Sequence, residues 1–552
     1  MIHLSDLLKA TGGHLVGPAY ARHFSDFCFD SRRVESGQLF LAIKTDKGDG
    51  HDHITEALKG GATGVICQTR PQLNGQLATC LLVEDTEVAL TNWARFVLDK
   101  TDIPVVGITG STGKTSTREA VAAVLGRRFH VFHNPENYSG RFGLPIALGR
   151  MTPEHQVAVL EMACDSFDEI AHLSELTRPK VGIVTAVNHA HLAYMGSLEA
   201  IAEEKGRLVE VLPSADEQGL AVLNYDDLWV RAMTERTQAE TLSFGLNPDA
   251  DLVASNLRPD RSGTTMLVHL AGPQGTGFQG YPARDEIRIG MLGRHHAYTA
   301  LAAIALGISY HIPWDEILAA LESVRPMPGR LNPLMGQDGS LVLDDSYSAS
   351  PASMLAALEA LDDVARCERP ERTCRRIAVL GDMGQLGSYE REGHRQVGQA
   401  AAAQTDVLIT VGEHAEQIAQ AAQEEEQSPL GGVFITYSPA EAARHLEGQL
   451  GPDDIVLIKG DIQARLERAA RALLGDPEQD GLRLPRADAV WEQVRVSQPA
   501  RPTWLEIDVD AIAQNVRVIK EIVGADVRVL AVLKADAYGH GAIKVARTAL
   551  NN

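Results

Sequence analysis

The residues best suited to chemistry lie between Thr109 and Ser116, in the run Thr-Gly-Ser-Thr-Gly-Lys-Thr-Ser. Its glycines and small side chains let backbone N–H groups close around a polyphosphate, whose charge a following helix N-terminus favours. Lys114 supplies a cation for the β- and γ-phosphates, and the Thr115 hydroxyl is a ligand for Mg²⁺. Gly110, Ser111, Thr112, Gly113, Lys114, Thr115 and Ser116 are therefore the expected nucleotide loop. The pattern G-x-x-G-K-T is a variant, because Ile108 stands where the strict phosphate loop has its first glycine. Glu161 follows the apolar run 157–160, at the C-terminal end of an expected strand, where α/β sheets hold ligands. Its hard oxygens suit Mg²⁺; a helix-capping glutamate is the other reading. His191 follows a further apolar run, but with His189 two residues away the choice between them stays open. Lys205, by composition alone, reads as a solvated helix lysine.

These groups need a scaffold. Residues 103–108 form an apolar, β-rich run, and a helical pattern follows the loop. Further strands are expected at 65–67, 81–83, 157–160, 181–184, 341–343, 377–380, 407–409 and 455–458, separated by helical stretches, with Gly60 and Gly61 stopping a helix. This alternation predicts an α/β fold with mostly parallel sheets. Pro326, Pro328 and Gly329 punctuate a boundary. The expected domains are 1–98, 99–325 and 326–476. A linker is expected over 477–500, with a short helix around Trp491, and a different pattern begins at Pro502.

Composition narrows the function. A chain of 552 residues has room for three or four domains, and a net charge of −22 argues against a nucleic-acid partner. Anionic substrates must then be held by local Arg and Lys side chains. Six cysteines without metal-ligand spacing predict reduced thiols. The N-terminus lacks a basic start followed by an apolar run, and no apolar run is long enough to cross a bilayer. A soluble cytoplasmic protein without membrane insertion is expected.

The motifs T-G-S-T-G-K-T, Glu161, A-H-L at 190–192 and E-K-G at 204–206, with G-R-H at 293–295, G-R at 329–330 and D-D-S-Y at 344–347, resemble the Mur ligase family. These are ATP-dependent amide-bond ligases of peptidoglycan precursor synthesis. Over residues 1 to about 475 the resemblance implies a UDP-sugar-binding α/β domain, a central P-loop ATPase domain and a C-terminal, Rossmann-like acceptor-binding domain. It implies that Thr115, Glu161 and His191 hold Mg²⁺. Lys205 would be the lysine that the family carbamylates, helping to hold a second Mg²⁺; Lys114, Lys205 and His191 are the implied catalytic set. His295, Arg330 and Asp345 would join the ATP site, Arg330 on phosphate and Asp345 on ribose. Asp30-Ser31-Arg32 resembles the UDP-sugar domain, with Ser31 and Arg32 on the uridine diphosphate end; Asn137 is an implied substrate contact. D-D-S-Y-x-A-x-P at 344–351 and L-G-D-M-x-x-L-G at 380–387 resemble the branch whose acceptor is D-alanyl-D-alanine. The D-N-P-R signature of the diaminopimelate- or lysine-adding branch is absent. The implied partners are ATP, UDP-N-acetylmuramoyl-tripeptide and D-alanyl-D-alanine, acted on by a monomeric ligase. Alternative readings are a folylpolyglutamate-type acceptor, or a degenerate, non-catalytic scaffold that binds nucleotide. Departures from the family pattern include Ser350 in place of Asn, Gln385 in place of the Glu of M-x-E-L-G, and Asp461 in place of the Ser of K-G-S-R.

A second resemblance begins near residue 501. A strand at 504–507, an amphipathic helix and a buried strand at 527–533 are expected, with Lys534 at the latter's C-terminal end, as a (β/α)₈ barrel begins. The segment AVLKADAYGHG at 531–541 resembles the cofactor-lysine motif of alanine racemase. By that resemblance Lys534 forms the Schiff base with pyridoxal 5′-phosphate and Tyr538 reaches its phosphate. A whole barrel takes roughly 250 residues. The segment is therefore expected to be a racemase fragment without racemase activity, from a fusion or a truncation, with the cofactor relevant only to a complete barrel.

Overall fold

The computed structural model describes residues 1–552 except 46–47, 136, 369–373, 426–429, 487–506 and 525. Among the described residues, three α/β bodies are built on sheets of five, nine and six strands. The first sheet runs His14–Leu15, Thr79–Leu82, Gly64–Cys67, Leu39–Leu41, Phe27–Cys28. Helix Ile54–Gly60 ends where Gly61 takes φ 117°, as the glycine pair predicts. Helix Thr86–Thr101 starts on the Asp85 carboxylate, which accepts the N–H groups of Glu87 and Val88. It runs through residue 98 and buries Trp93 and Val97 in a core shared with Leu144 and Leu148 of the second body.

The central sheet runs Val131–His133, Val157–Glu161, Val105–Thr109, Val181–Val184, Leu220–Asn224, Glu240–Gly245, Leu252–Asp260, Gly263–Leu270, Arg284–Ile289. The first seven strands pair in parallel and the last two antiparallel. Both faces of the parallel part are covered, which is why its strands read as continuous apolar runs. Helix Leu198–Glu210, capped by the Ser197 hydroxyl, lies tight on the sheet. A Cβ on Gly107 would come within 2.9 Å of Leu208, so this close approach needs glycine. On the other face, the alanine-rich helix His296–Ser309 is buried on nearly every side against the phosphate-loop helix Lys114–Leu125.

The third sheet runs Asn332–Met335, Leu341–Asp345, Asp454–Lys459, Arg375–Gly381, Val407–Val411, Gly432–Thr436, with only its first strand antiparallel. The expected strands at 341–343, 377–380, 407–409 and 455–458 all lie in it. Arg294 bridges to the central body, donating from Nε and Nη2 to the Asp363 carboxylate at 2.6 and 2.9 Å.

Two expectations are corrected. Residues 477–486 are not a linker: Leu484 is buried in the third body's core, Arg486 pairs with Glu467, and Asn332 Nδ2 donates to the Arg483 carbonyl at 3.1 Å. Apolar Leu484 and the arginines override the Pro/Gly punctuation. The remainder of that stretch, with the helix expected around Trp491, lies outside the described residues, as do residues 504–506 of the next expected strand. The strand expected at 527–533 does not form. Helices Val509–Val523 and Ala542–Asn551 are present, but residues 527–533 are largely exposed and unpaired, and Lys534 opens a turn with positive φ at Ala535, Asp536, Ala537 and Tyr538. A parallel strand forms only in pairing with a neighbour, and no described strand lies beside this run. Lys534 and Tyr538 are both exposed. The segment rests on the third body, where Arg547 pairs with Glu416 and Ser438 Oγ donates to Asp510 at 2.7 Å.

Leu484→Ala should destabilise the third body by roughly 2–4 kcal/mol, the usual cost of emptying a buried leucine site. Urea unfolding followed by hydrogen exchange over residues 454–473 would measure it; a change below ~0.5 kcal/mol would mean that the segment is a linker after all.

Candidate functional site

The phosphate loop leaves the central strand Val105–Thr109 at its C-terminal end. Gly110 has φ 146°, and a Cβ there would lie 1.9 Å from Thr185 Oγ1. That hydroxyl fastens the loop to the neighbouring strand end, donating to the Thr112 carbonyl at 2.6 Å. Ser111 N donates to the Ala186 carbonyl at 2.7 Å, and Asn188 Nδ2 to Thr112 Oγ1 at 3.1 Å. Lys114 folds back over the loop, its Nζ donating to the Gly110 carbonyl at 2.8 Å. Burial and the nearby Lys205 pull its ammonium down to about 8.

Glu161 ends the strand Val157–Glu161 beside the loop. Thr115 Oγ1 lies 3.1 Å from Glu161 Oε1, and buried Arg118 lies 3.3 Å from Oε2. Asn134 clamps the strand end, accepting from Glu161 N at 2.8 Å and donating to its carbonyl at 3.1 Å. Thr115 Oγ1 donates to Glu161 Oε1, and hard oxygens of these kinds suit Mg²⁺. With the His191 imidazole lining the same cavity, these are the residues that could hold Mg²⁺. The next helix starts only at Glu169, so Glu161 caps no helix.

His191 has φ 63° and lines the same cavity as Thr115 and Glu161, whereas His189 stacks on Tyr389 with ring centroids 3.8 Å apart. This separates the two histidines that the sequence left equivalent. Burial, then Lys114, pushes the His191 imidazolium below its ordinary range, against the pull of Asp165. Lys205 is not a solvated lysine: it is buried on the helix face that carries Ile201, Leu208 and Val209. It stands behind the cavity wall, its Nζ 3.5 Å from Cys164 Sγ.

The third body closes the cavity, which measures about 670 Å³. Asp345 binds Lys459 at 2.8 Å and accepts the Leu331 N–H at 3.2 Å. Arg330 lies over the Tyr347 ring at 4.5 Å, and the Tyr347 hydroxyl meets Asn137 of the central body. Asp344 is wholly buried behind them, accepting from Gly329 N at 2.9 Å and from Ser346 Oγ at 2.6 Å; burial pushes its carboxyl up to about 7. His295 also faces the cavity, held neutral with its imidazolium down to about 4 by burial and Lys459.

Ser111, Thr112, Gly113, Lys114, Thr115, Ser116, Asn137, Glu161, His191, His295, Arg330 and Asp345 thus converge on one cavity. Gly110 and Lys205 support it from behind. Ser31 and Arg32 do not line it; Arg32 binds Asp30 through two 2.8 Å bonds and Ser31 donates to Glu56 at 2.7 Å. Residue-by-residue reading missed Asp226, Tyr298 and Lys459 in the lining, although Tyr298 Oη donates to Asp226 Oδ2 at 3.0 Å. Lys459 ends a strand and Asp226 follows one, so the rule that ligands gather at strand C-terminal ends was the available signal.

Residues 25–106 match the catalytic domain of the Mur ligase family, 108–307 the Mur ligase middle domain and 329–462 the Mur ligase, glutamate ligase domain. Residues 507–552 match the alanine racemase N-terminal domain. The chain belongs to the Mur ligase family. The particular members it resembles are UDP-N-acetylmuramoyl-tripeptide–D-alanyl-D-alanine ligases. That of Escherichia coli K12 is 33% identical over 477 residues, covering 86% of this chain and 98% of the relative. That of Mycobacterium tuberculosis H37Rv is 32% identical over 482 residues, covering 81% and 92%. Among solved structures, MurF from Acinetobacter baumannii superposes with a TM-score of 0.71 at 25% identity, covering 85% of this chain and 97% of that one. MurF from Thermotoga maritima in complex with ADP gives 0.67 at 26%, covering 82% and 98%.

Gly110→Ala should weaken ATP binding at least about tenfold, because the new methyl must displace Thr185 and with it the loop. Calorimetric titration with ATP would measure this; unchanged affinity would mean that the loop tolerates the side chain. Asp344 makes a pH prediction. Its folded-state value of about 7 exceeds the ordinary 3.8, so the folded protein holds a proton that the unfolded chain has released. Its contribution is complete below the unfolded value and is lost as pH rises towards about 7, on the order of 4 kcal/mol. Asp344→Asn should lack that loss and gain on the wild type between about pH 4 and 7, measured by urea unfolding across the window. Parallel pH profiles would refute the assignment.

Proposed function

We propose that this chain joins D-alanyl-D-alanine to UDP-N-acetylmuramoyl-tripeptide, converting ATP to ADP and phosphate, in the cytoplasm. The observation that carries this is the single cavity in which a phosphate loop, the Thr115–Glu161 pair and the third body's residues face one another. The relatives' shared name supplies the acceptor. Free thiols at Cys28, Cys67, Cys80, Cys164 and Cys374 fit a reducing compartment, and among the described residues no helix is long and apolar enough to cross a membrane.

In the proposed reaction, the terminal carboxylate of the tripeptide attacks the γ-phosphorus of ATP. The bond to the β,γ-bridging oxygen breaks, ADP leaves and an acyl phosphate forms. The free amine of D-alanyl-D-alanine then attacks the acyl carbon, loses a proton, and phosphate leaves. Lys114 and the loop N–H groups hold the β- and γ-phosphates, and phosphate contact restores the full charge that burial weakens. Mg²⁺, held by Thr115, Glu161 and His191, would supply positive charge to the transferring phosphoryl oxygens. Carbamylation would turn the buried Lys205 cation into a carboxylate-like group that would help to hold a second Mg²⁺. His295, Asp345 and Arg330 would receive the nucleoside and phosphate ends of ATP, Asn137 would touch the tripeptide substrate, and Ser31 and Arg32 would hold its uridine diphosphate. The third body covers the cleft, and its closure keeps water from the acyl phosphate.

Phosphate release from ATP with UDP-N-acetylmuramoyl-tripeptide should depend on added D-alanyl-D-alanine. Release that ignores the dipeptide would sink this reading and favour another acceptor; no release at all would favour a binding scaffold. Lys114→Ala should cut turnover by roughly a hundredfold or more while the far-UV spectrum stays unchanged. A carbamate signal from isotope-labelled bicarbonate should vanish in Lys205→Ala; a signal that persists would place the carbamate elsewhere.

A further inference from the structure

The loop holding Gln385 belongs to the third body and the loop holding His191 to the central body, yet the two side chains meet. His191 Nδ1 lies 2.6 Å from Gln385 Oε1 and 3.3 Å from Asp165 Oδ1. An amide oxygen can only accept, so Nδ1 carries the proton and donates to Gln385, while Asp165 stands nearby as a charge contact. In a neutral imidazole the other nitrogen, Nε2, is then left with its lone pair, the form that a metal takes up. Asp165 is largely exposed and more distant, so the shorter bond comes from across the interface.

The contact is built, not incidental. Both partners are non-glycine residues at positive φ, 63° for His191 and 62° for Gln385. Such conformations cost about 1–3 kcal/mol each and persist where surrounding structure imposes them. Here each loop imposes on the other. Ala193 N donates to the Gln385 carbonyl at 2.9 Å, Gly387 approaches Ala193 so closely that a Cβ would lie 3.0 Å from its Cα, and Tyr389 stacks on His189. Both Gln385 and His191 line the cavity that holds Thr115 and Glu161.

We propose that Gln385 is a positioning residue, reaching from the third body to set the tautomer and ring direction of His191, so that closure of the third body completes the metal site. A neutral amide does this without the negative charge that a glutamate would bring against the phosphates. The inference rests on the assignment of His191 as a metal ligand made above, but not on the identity of the acceptor.

The test measures Mn²⁺ affinity of the enzyme–ATP complex, reading free Mn²⁺ by electron paramagnetic resonance in the full chain without acceptor. Gln385→Met keeps the bulk and removes the acceptor atom; it should weaken Mn²⁺ binding about tenfold, the usual cost of losing a ligand's hydrogen-bonding support. Gln385→Glu restores an acceptor with the same reach and should recover affinity to within about threefold of wild type. ATP affinity in the presence of a chelator should not change in either variant. Wild-type Mn²⁺ affinity in Gln385→Met would reduce the contact to packing and overturn the proposal, and so would equal losses in Met and Glu. A chain that ligates D-alanyl-D-alanine but shows no Met/Glu difference loses this inference alone. A chain that shows the difference yet fails to ligate keeps it and loses the proposed reaction.

Discussion

Two anions must meet in this cleft, a carboxylate and a triphosphate, inside a protein that itself carries a net charge of −22. Two like charges a few ångströms apart in a low-dielectric site repel by several kcal/mol, so the reaction depends on cations placed before the substrates arrive. Lys114, Arg330 and Lys459 line one cavity with Lys205 behind it, and burial, then Lys205 and Arg330, depresses the ammonium of Lys114. Two acidic members of the site are committed to neighbours. Glu161 faces Thr115 and Arg118, and Asp345 faces Lys459, so each carboxylate also holds a neighbour in place.

That arrangement divides between two bodies. The central sheet supplies the loop and the Thr115 and Glu161 oxygens; the third body supplies Asp345, Arg330, Lys459 and Gln385. Across the seam run the Arg294–Asp363 pair, the Tyr347–Asn137 contact and the paired loops around His191 and Gln385. A site assembled from two bodies is complete only when they are closed. This suits a chemistry whose acyl phosphate must be kept from water until the amine is in place.

Where sequence reading went astray, the missing information was always a neighbour. Lys205 looks solvated because lysine usually is, and only the burial of its helix face against the sheet reverses that. Residues 527–533 have the composition of a buried strand, but hydrogen bonding of a strand is a property of a pair, and the described residues offer no partner. Residues 477–486 carry loop punctuation, yet Leu484 finds a core to fill. The departures from the family pattern at Gln385 and Asp461 read as losses in one dimension. In the fold Gln385 meets His191, and Asp461 accepts the Gln463 N–H as the cap of a short helical turn.

The sequence by itself determined the fold class, the strand succession, the phosphate loop and the family. These follow from apolar periodicity, glycine placement and short contiguous motifs, which are local and survive being read in a line. Only the tertiary structure decided which of His189 and His191 faces the cavity, that Lys205 lies behind it, and that Gln385 touches a residue 194 positions earlier in the chain. The physical reason is that burial, charge and hydrogen bonding at this site are set by packing between bodies, and side chains so far apart in sequence meet only where two folded surfaces close on each other.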